Sequence, residues 1–143
     1  MGRAHTRVVP DASAPARARR YVSSRCEGLP SDFVDTVLLL TTELVNNALW
    51  HGRGDPKLDV LVEAGQVTVG VSDEGGGEVR IASDFRWPET GHGLRLVDSL
   101  SDRWGVEPLT TGPGKRVWFE LTRDASGAFS SEAEESRSRH DVR

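Results

Sequence analysis

Three short segments, taken in order, constrain this chain more than any other feature. Thr42-Glu43-Leu44-Val45-Asn46-Asn47-Ala48 reads as helix and closes at His51-Gly52. Val71-Ser72-Asp73-Glu74-Gly75-Gly76-Gly77 carries an acid out of a strand into a glycine run. Thr90-Gly91-His92-Gly93-Leu94-Arg95 opens a second helix with Gly-x-Gly. Each helical residue turns by about 100°, so positions four apart lie about 40° apart around the axis. Glu43 and Asn47 therefore share one face, while Val34, Val37, Thr41, Leu44, Val45 and Ala48 gather on another that a core would claim. An Asn oxygen is a hard neutral ligand that Mg²⁺ accepts, and a Glu one turn away can take a proton from a hydroxyl or water. Asn46, three residues from Glu43 on the opposite flank, competes for the metal role, and helical spacing leaves the two open.

The other two segments supply different chemistry. A carboxylate at a strand end, such as Asp73, can accept a hydrogen bond from an amino group like that of adenine N6, and it repels the carbonyl of guanine. Glycines beside it permit positive φ and let backbone come close to a ligand. Gly91-His92-Gly93-Leu94 stands where a helix begins, and a helix N-terminus offers free amides and partial positive charge to phosphate. His92 reads as a phosphate donor or a solvated side chain. Neither His51 nor His92 forms a zinc pattern with Cys26. The turn Gly112-Pro113-Gly114-Lys115 is not a Walker A loop, because Leu109 occupies the first glycine position and Arg116 follows the lysine. Lys115 reads as a phosphate-binding or solvated cation.

Around these segments, the pattern predicts an edge strand over residues 6–9, ended by Pro10, and a helix over 12–27, stopped by Gly28-Leu29-Pro30. Ser31 is placed to cap the next helix, which runs to about residue 51, with Gly52 closing it. Strands over 57–63 and 66–72 alternate Leu58, Val60, Val62 and Val67, Val69, Val71 inward, and Ala64-Gly65 is short enough to join them as a hairpin. Residues 73–90 show no period and read as a loop able to close over a ligand. A helix over 92–100, a strand over 103–107, a turn over 110–114 and a strand over 115–122 complete the folded part, which spans residues 1–123. Residues 124–143, rich in Ser, Glu and Arg, lack the apolar surface to offset ordering entropy and are expected to be a disordered tail.

A chain of 143 residues fits one domain with a real core. Its formal charge of −4 argues against a nucleic-acid footprint. Cys26 is the only cysteine, so no internal disulfide forms and a reducing cytoplasm is the expected setting. No apolar run approaches a membrane span, and residues 1–10 carry no signal core.

The ordered segments resemble the N, G1 and G2 boxes of the GHKL ATPase superfamily, and most resemble its small bacterial anti-sigma factor/serine kinase branch. The resemblance covers residues 12–122 and includes Asp102-Arg103-Trp104-Gly105 and Gly114-Lys115-Arg116-Val117-Trp118-Phe119. It implies the Bergerat fold: a two-layer α/β sandwich with helices on one face of a mixed, mostly antiparallel sheet, and ATP between the helical layer and a lid. It implies ATP and Mg²⁺ as cofactors, Glu43 as the base, and Asn47 rather than Asn46 as the metal ligand. Asp73, Gly75 and Gly77 would form the adenine pocket, and Gly91, His92, Gly93, Leu94 and Lys115 would complete the ATP site. In that branch the last turn is often followed by Thr, and Arg116 departs from this, so a hydroxyl contact is lost there. The implied activity is phosphorylation of a Ser or Thr on an anti-anti-sigma partner, together with capture of a sigma factor. A homodimer is compatible with it; direct nucleic-acid or membrane binding is not expected. Three other readings remain: a non-catalytic nucleotide-binding module, a detached histidine-kinase ATPase domain without a preceding phospho-accepting helix, and a DNA-binding regulator.

Overall fold

The computed structural model describes residues 2–75, 93–110 and 112–123. Of the loop expected over 73–90 only 73–75 are described; its remainder and the expected tail over 124–143 lie outside the described residues.

Among the described residues, five strands and three helices follow in the order β1 (Ala4–Arg7), α1 (Ala14–Arg25), α2 (Ser31–His51), β2 (Lys57–Glu63), β3 (Gln66–Asp73), α3 (Gly93–Leu100), β4 (Arg103–Pro108) and β5 (Lys115–Thr122). The strands form one sheet in the order β1-β2-β3-β5-β4, and every pairing among the described residues is antiparallel. Helix α2 is the middle of the helical layer. It packs against α1 on one side and α3 on the other, and lies over β3 and β5.

The core follows the alternation. Val67 stands opposite Leu121, Val69 opposite Phe119 and Val71 opposite Val117. All six side chains are buried, as are Leu58 and Val60 of β2. From the other layer come Phe33, Val37, Leu40, Leu44, Val45 and Ala48 of α2, with Val34 only partly buried. Removing a buried Leu such as Leu40 or Leu44 would cost about 2–5 kcal/mol, through lost transfer energy and the cavity left behind.

Two local expectations need correction. Ser31 does not cap α2: it is the first helical residue, and Pro30 is the cap, with extended backbone (φ −60°, ψ 141°) and no side-chain capping bond. Proline can serve because its fixed φ already suits the entry, and its carbonyl accepts from Val34 N–H at 3.0 Å. Strand β1 sits two residues earlier than expected. Its ladder ends at the Arg7–Lys57 pair, and Val8 instead donates its N–H to the Pro56 carbonyl at 2.9 Å.

Helix α3 is fastened at its far end. Trp104 Nε1 donates to Asp98 at 2.9 Å, and Asp102 accepts from Thr122 N–H at 2.7 Å while its own N–H donates to the Glu120 carbonyl. The Asp-Arg-Trp-Gly segment thus ties the end of α3 to β4 and β5.

Candidate functional site

The apolar rungs between β3 and β5 end in a charged one. Asp73 stands opposite Lys115, on the same buried face as Val71 and Val117. Both are almost wholly enclosed, Asp73 at 3% exposed and Lys115 at 5%. Lys115 Nζ donates to the two carboxylate oxygens at 3.1 and 3.2 Å and to the Gly75 carbonyl at 3.1 Å. Gly75 N–H closes the turn on Asp73 Oδ1 at 2.6 Å. A buried carboxylate and a buried ammonium each need this degree of pairing, because either alone would be left with an uncompensated charge.

Glycine lets the C-terminal end of α2 meet this pair. Gly52 ends the helix by donating to the Ala48 carbonyl at 2.8 Å, with extended backbone (φ −97°) rather than a left-handed cap. What excludes a side chain there is space: a Cβ on Gly52 would stand 2.5 Å from Asp73 Cγ and 2.6 Å from Oδ2. Gly114 is excluded in the same way, since its Cβ would collide with the Asp73 carbonyl. Gly75, expected to use positive φ, is not among the positive-φ glycines; a Cβ on it would lie 3.1 Å from Asp73 Oδ1. Glu74 N–H donates to the Arg53 carbonyl at 2.9 Å, holding the segment after β3 against the residues that follow α2.

Glu43 and Asn47 lie on α2, and both are partly buried. Four residues beyond Asn47 comes His51, so Glu43, Asn47 and His51 form one stripe at i, i+4 and i+8. His51 is exposed overall, and partial desolvation of its ring, followed by the charge of Lys115, holds the imidazole below its ordinary value. The stripe ends next to Gly52, whose backbone lies against Asp73. The sequence motifs leave His51 and Gly52 out of the expected site, although His51 stands at i+8 from Glu43. Asn46 is also partly buried.

The remaining expected residues divide. Leu94 is buried in the core at 3% exposed, so its side chain serves packing. Gly93 is the first residue of α3. Gly77, Gly91 and His92 lie outside the described residues. Lys115 was expected to be a phosphate-binding or solvated cation; its described contacts are all with Asp73 and Gly75. Arg116, expected to mark a lost hydroxyl contact, points away from the site. It alternates to the opposite sheet face, where it donates to Asp59 at 2.8 and 3.0 Å and to Glu107 at 2.9 Å. The position facing the site is 115.

The residues present fit an adenine nucleotide in kind: an enclosed carboxylate at a strand end, glycines whose backbone closes in around it, and a helix carrying an acid and an amide one turn apart. Among the described residues, no group of three or more His, Cys, Asp or Glu could hold a metal ion. The Asn47 amide oxygen is the kind of neutral ligand that would act beside phosphate oxygens and water.

The fold is a two-layer α/β domain, with helices on one face of an antiparallel sheet. The family model described as the histidine kinase-like ATPase domain matches residues 9–121, and the chain belongs to that family. It is thus a kinase-like ATP-binding domain in the broad sense. Among solved structures it is similar to the histidine kinase domain from Erythrobacter litoralis EL346 blue-light activated histidine kinase. The identity is 22% and the TM-score 0.45, over 77% of this chain and 59% of that one. No curated protein matches. No helix among the described residues is long and apolar enough to cross a membrane.

Proposed function

We propose that the chain is a cytoplasmic ATP-binding anti-sigma factor and protein-serine/threonine kinase. Its partners would be an anti-anti-sigma protein, which it phosphorylates, and a sigma factor, which it sequesters, with partner switching joining the two acts. A homodimer is compatible with this scheme. One observation carries the reading: the buried Asp73 carboxylate closes the β3–β5 ladder directly against the end of the helix that bears Glu43 and Asn47.

ATP with Mg²⁺ would supply the phosphoryl group and the charge that shields it. The chain's own residues would do the rest. Asp73 accepts the amino group of the base. Asn47 offers its amide oxygen to the metal. Glu43 takes the proton from the partner's hydroxyl. Gly75 and the start of α3 leave backbone free to approach the nucleotide. Catalysis of this kind rests mainly on positioning and charge neutralisation.

The test is transfer of labelled phosphate from ATP to a Ser or Thr of candidate anti-anti-sigma proteins from the same genome. Wild-type protein should label one of them. Glu43→Ala should bind ATP nearly as well but transfer about 10²–10⁴-fold more slowly, because a general base acts in the transition state. ATP binding without transfer to any partner would favour a non-catalytic nucleotide-binding module. Undiminished transfer by Glu43→Ala would refute its assignment as the base. Asn47→Ala should weaken ATP·Mg²⁺ binding while Asn46→Ala changes it little; equal losses would undo the choice between them.

A further inference from the structure

A lone buried carboxylate separates purines by charge, accepting the amino group of adenine and repelling the carbonyl of guanine. Asp73 is not alone. The Lys115 ammonium, at 3.1 and 3.2 Å from its two oxygens, cancels much of its field at any neighbouring atom.

Hydrogen-bond capacity sharpens the point. Asp73 Oδ1 already accepts from Gly75 N–H and from Lys115, whereas Oδ2 accepts from Lys115 and keeps one lone pair. The three ammonium donors meet three acceptors, the third being the Gly75 carbonyl. A ligand acceptor could replace that carbonyl one for one. The pair therefore has one unfilled lone pair with a charged donor beside it, and because both side chains are almost wholly enclosed a ligand reaches them only by displacing the Gly75 carbonyl.

We propose that Lys115 is a specificity-determining residue: it turns the Asp73 site into a reader of an adjacent donor and acceptor on a purine edge, so that adenine and guanine nucleotides bind with similar affinity. Adenine presents the N6 amino group as donor and N1 as acceptor. Guanine presents N1–H as donor and O6 as acceptor, in the reverse order along the edge, and the ammonium removes the repulsion that O6 would otherwise meet. The inference rests on the nucleotide-binding reading above. It moves Lys115 from the phosphate end of the site to the base end.

Calorimetry of the full chain with Mg²⁺ and either ATP or GTP tests it, comparing wild type with Lys115→Thr and Lys115→Gln. The wild-type dissociation constants should agree within about tenfold. Lys115→Thr uncovers the carboxylate and should shift the ratio toward ATP by about 10–100-fold, mainly through loss of GTP. Lys115→Gln keeps a neutral donor on Asp73, guards against a folding failure of the Thr variant, and should shift the ratio in the same direction by less. A wild-type preference for ATP beyond about 100-fold overturns the role of Lys115 while leaving nucleotide binding intact. So does an unchanged ratio in both variants, or an equal loss of both nucleotides, which would return Lys115 to the phosphates. Wild-type protein that binds neither nucleotide overturns the nucleotide-binding reading and this inference with it.

Discussion

Lys115 and Arg116 are neighbours on β5 with similar charge, yet they serve opposite faces of the sheet. Lys115 lies on the helical side, enclosed with a single carboxylate, at 6% side-chain exposure against 1% for Asp73. Arg116 lies on the other side and spreads its guanidinium over two acids, with Asp59 on β2 and the half-exposed Glu107 on β4. Arg3 extends the network to Asp59 at 3.6 Å. A Cβ on Gly70 would strike the guanidinium, so glycine at that position is what lets Arg116 cross β3 to reach Asp59. Burial opposes the Arg116 charge, and Asp59 followed by Glu107 more than offset it, holding the group above its ordinary value. One cation pairs inside an enclosed site; the other ties three strands, β5 to β2 and β4. A strand's two-residue period is enough to divide the roles.

If this division is right, the largest stability loss should follow Lys115→Met, which leaves Asp73 buried without its counter-charge. Breaking a buried pair from one side costs about 3–5 kcal/mol. The double variant Asp73→Asn/Lys115→Met should recover part of that in urea denaturation. Arg116→Met should cost less, about 1.5–3 kcal/mol, because its Asp59 bonds are partly buried and its Glu107 arm is solvated. An Arg116 loss equal to or above that of Lys115 would break the comparison.

Gly52→Ala probes how tightly the helix end meets the pocket. Its added methyl must displace Asp73, at about 1–3 kcal/mol, and nucleotide affinity should fall with stability. Unaltered binding in calorimetry would show that the two segments can separate without cost.

A smaller effect concerns pH. The fold favours neutral His51, while the unfolded chain titrates near 6.5. As pH falls, the unfolded state takes up this proton first. The His51 contribution is therefore fully present above about pH 6.5 and is lost as pH drops toward the lowered folded value. His51→Gln should flatten the melting temperature between about pH 7.5 and 5 relative to wild type. An identical slope in the variant would assign the acid sensitivity elsewhere.

The smallest change is expected from truncation after Arg123. The removed segment, whose large apolar residues are only Phe129 and Val142, has no apolar period to pack, so melting should shift by only a few degrees, on the order of 1 kcal/mol or less. A large drop would show that the segment docks.

Much of the architecture was legible. The alternation of Val67, Val69, Val71 and of Val117, Phe119, Leu121 located the inner face of β3 and β5, and the apolar spacing of α2 located its buried side. The boundaries were weaker where one residue type can act in two ways: Ser31 carries a good capping side chain, yet Pro30 takes the position. The candidate site was half legible. Glu43, Asn47 and Asp73 were visible as residue types in suggestive places. Lys115 was visible too, but it was assigned to phosphate or solvent because its partner lies 42 residues away.

The sequence by itself determined the period of each element, and with it which side chains share a face. Asp73 continues the inward series of β3 and Lys115 begins that of β5, so both were bound for the buried side once those strands formed. Only the tertiary structure decided that they meet. That depends on the register between β3 and β5, which is set by how the whole apolar ladder packs under α2. It also decided that residue 52 is crowded from two sides, by the local Ala48 carbonyl and by the Asp73 carboxylate, and only the second depends on a distant segment. Periodicity is a property of near neighbours, whereas register and close approach depend on segments far apart in the chain.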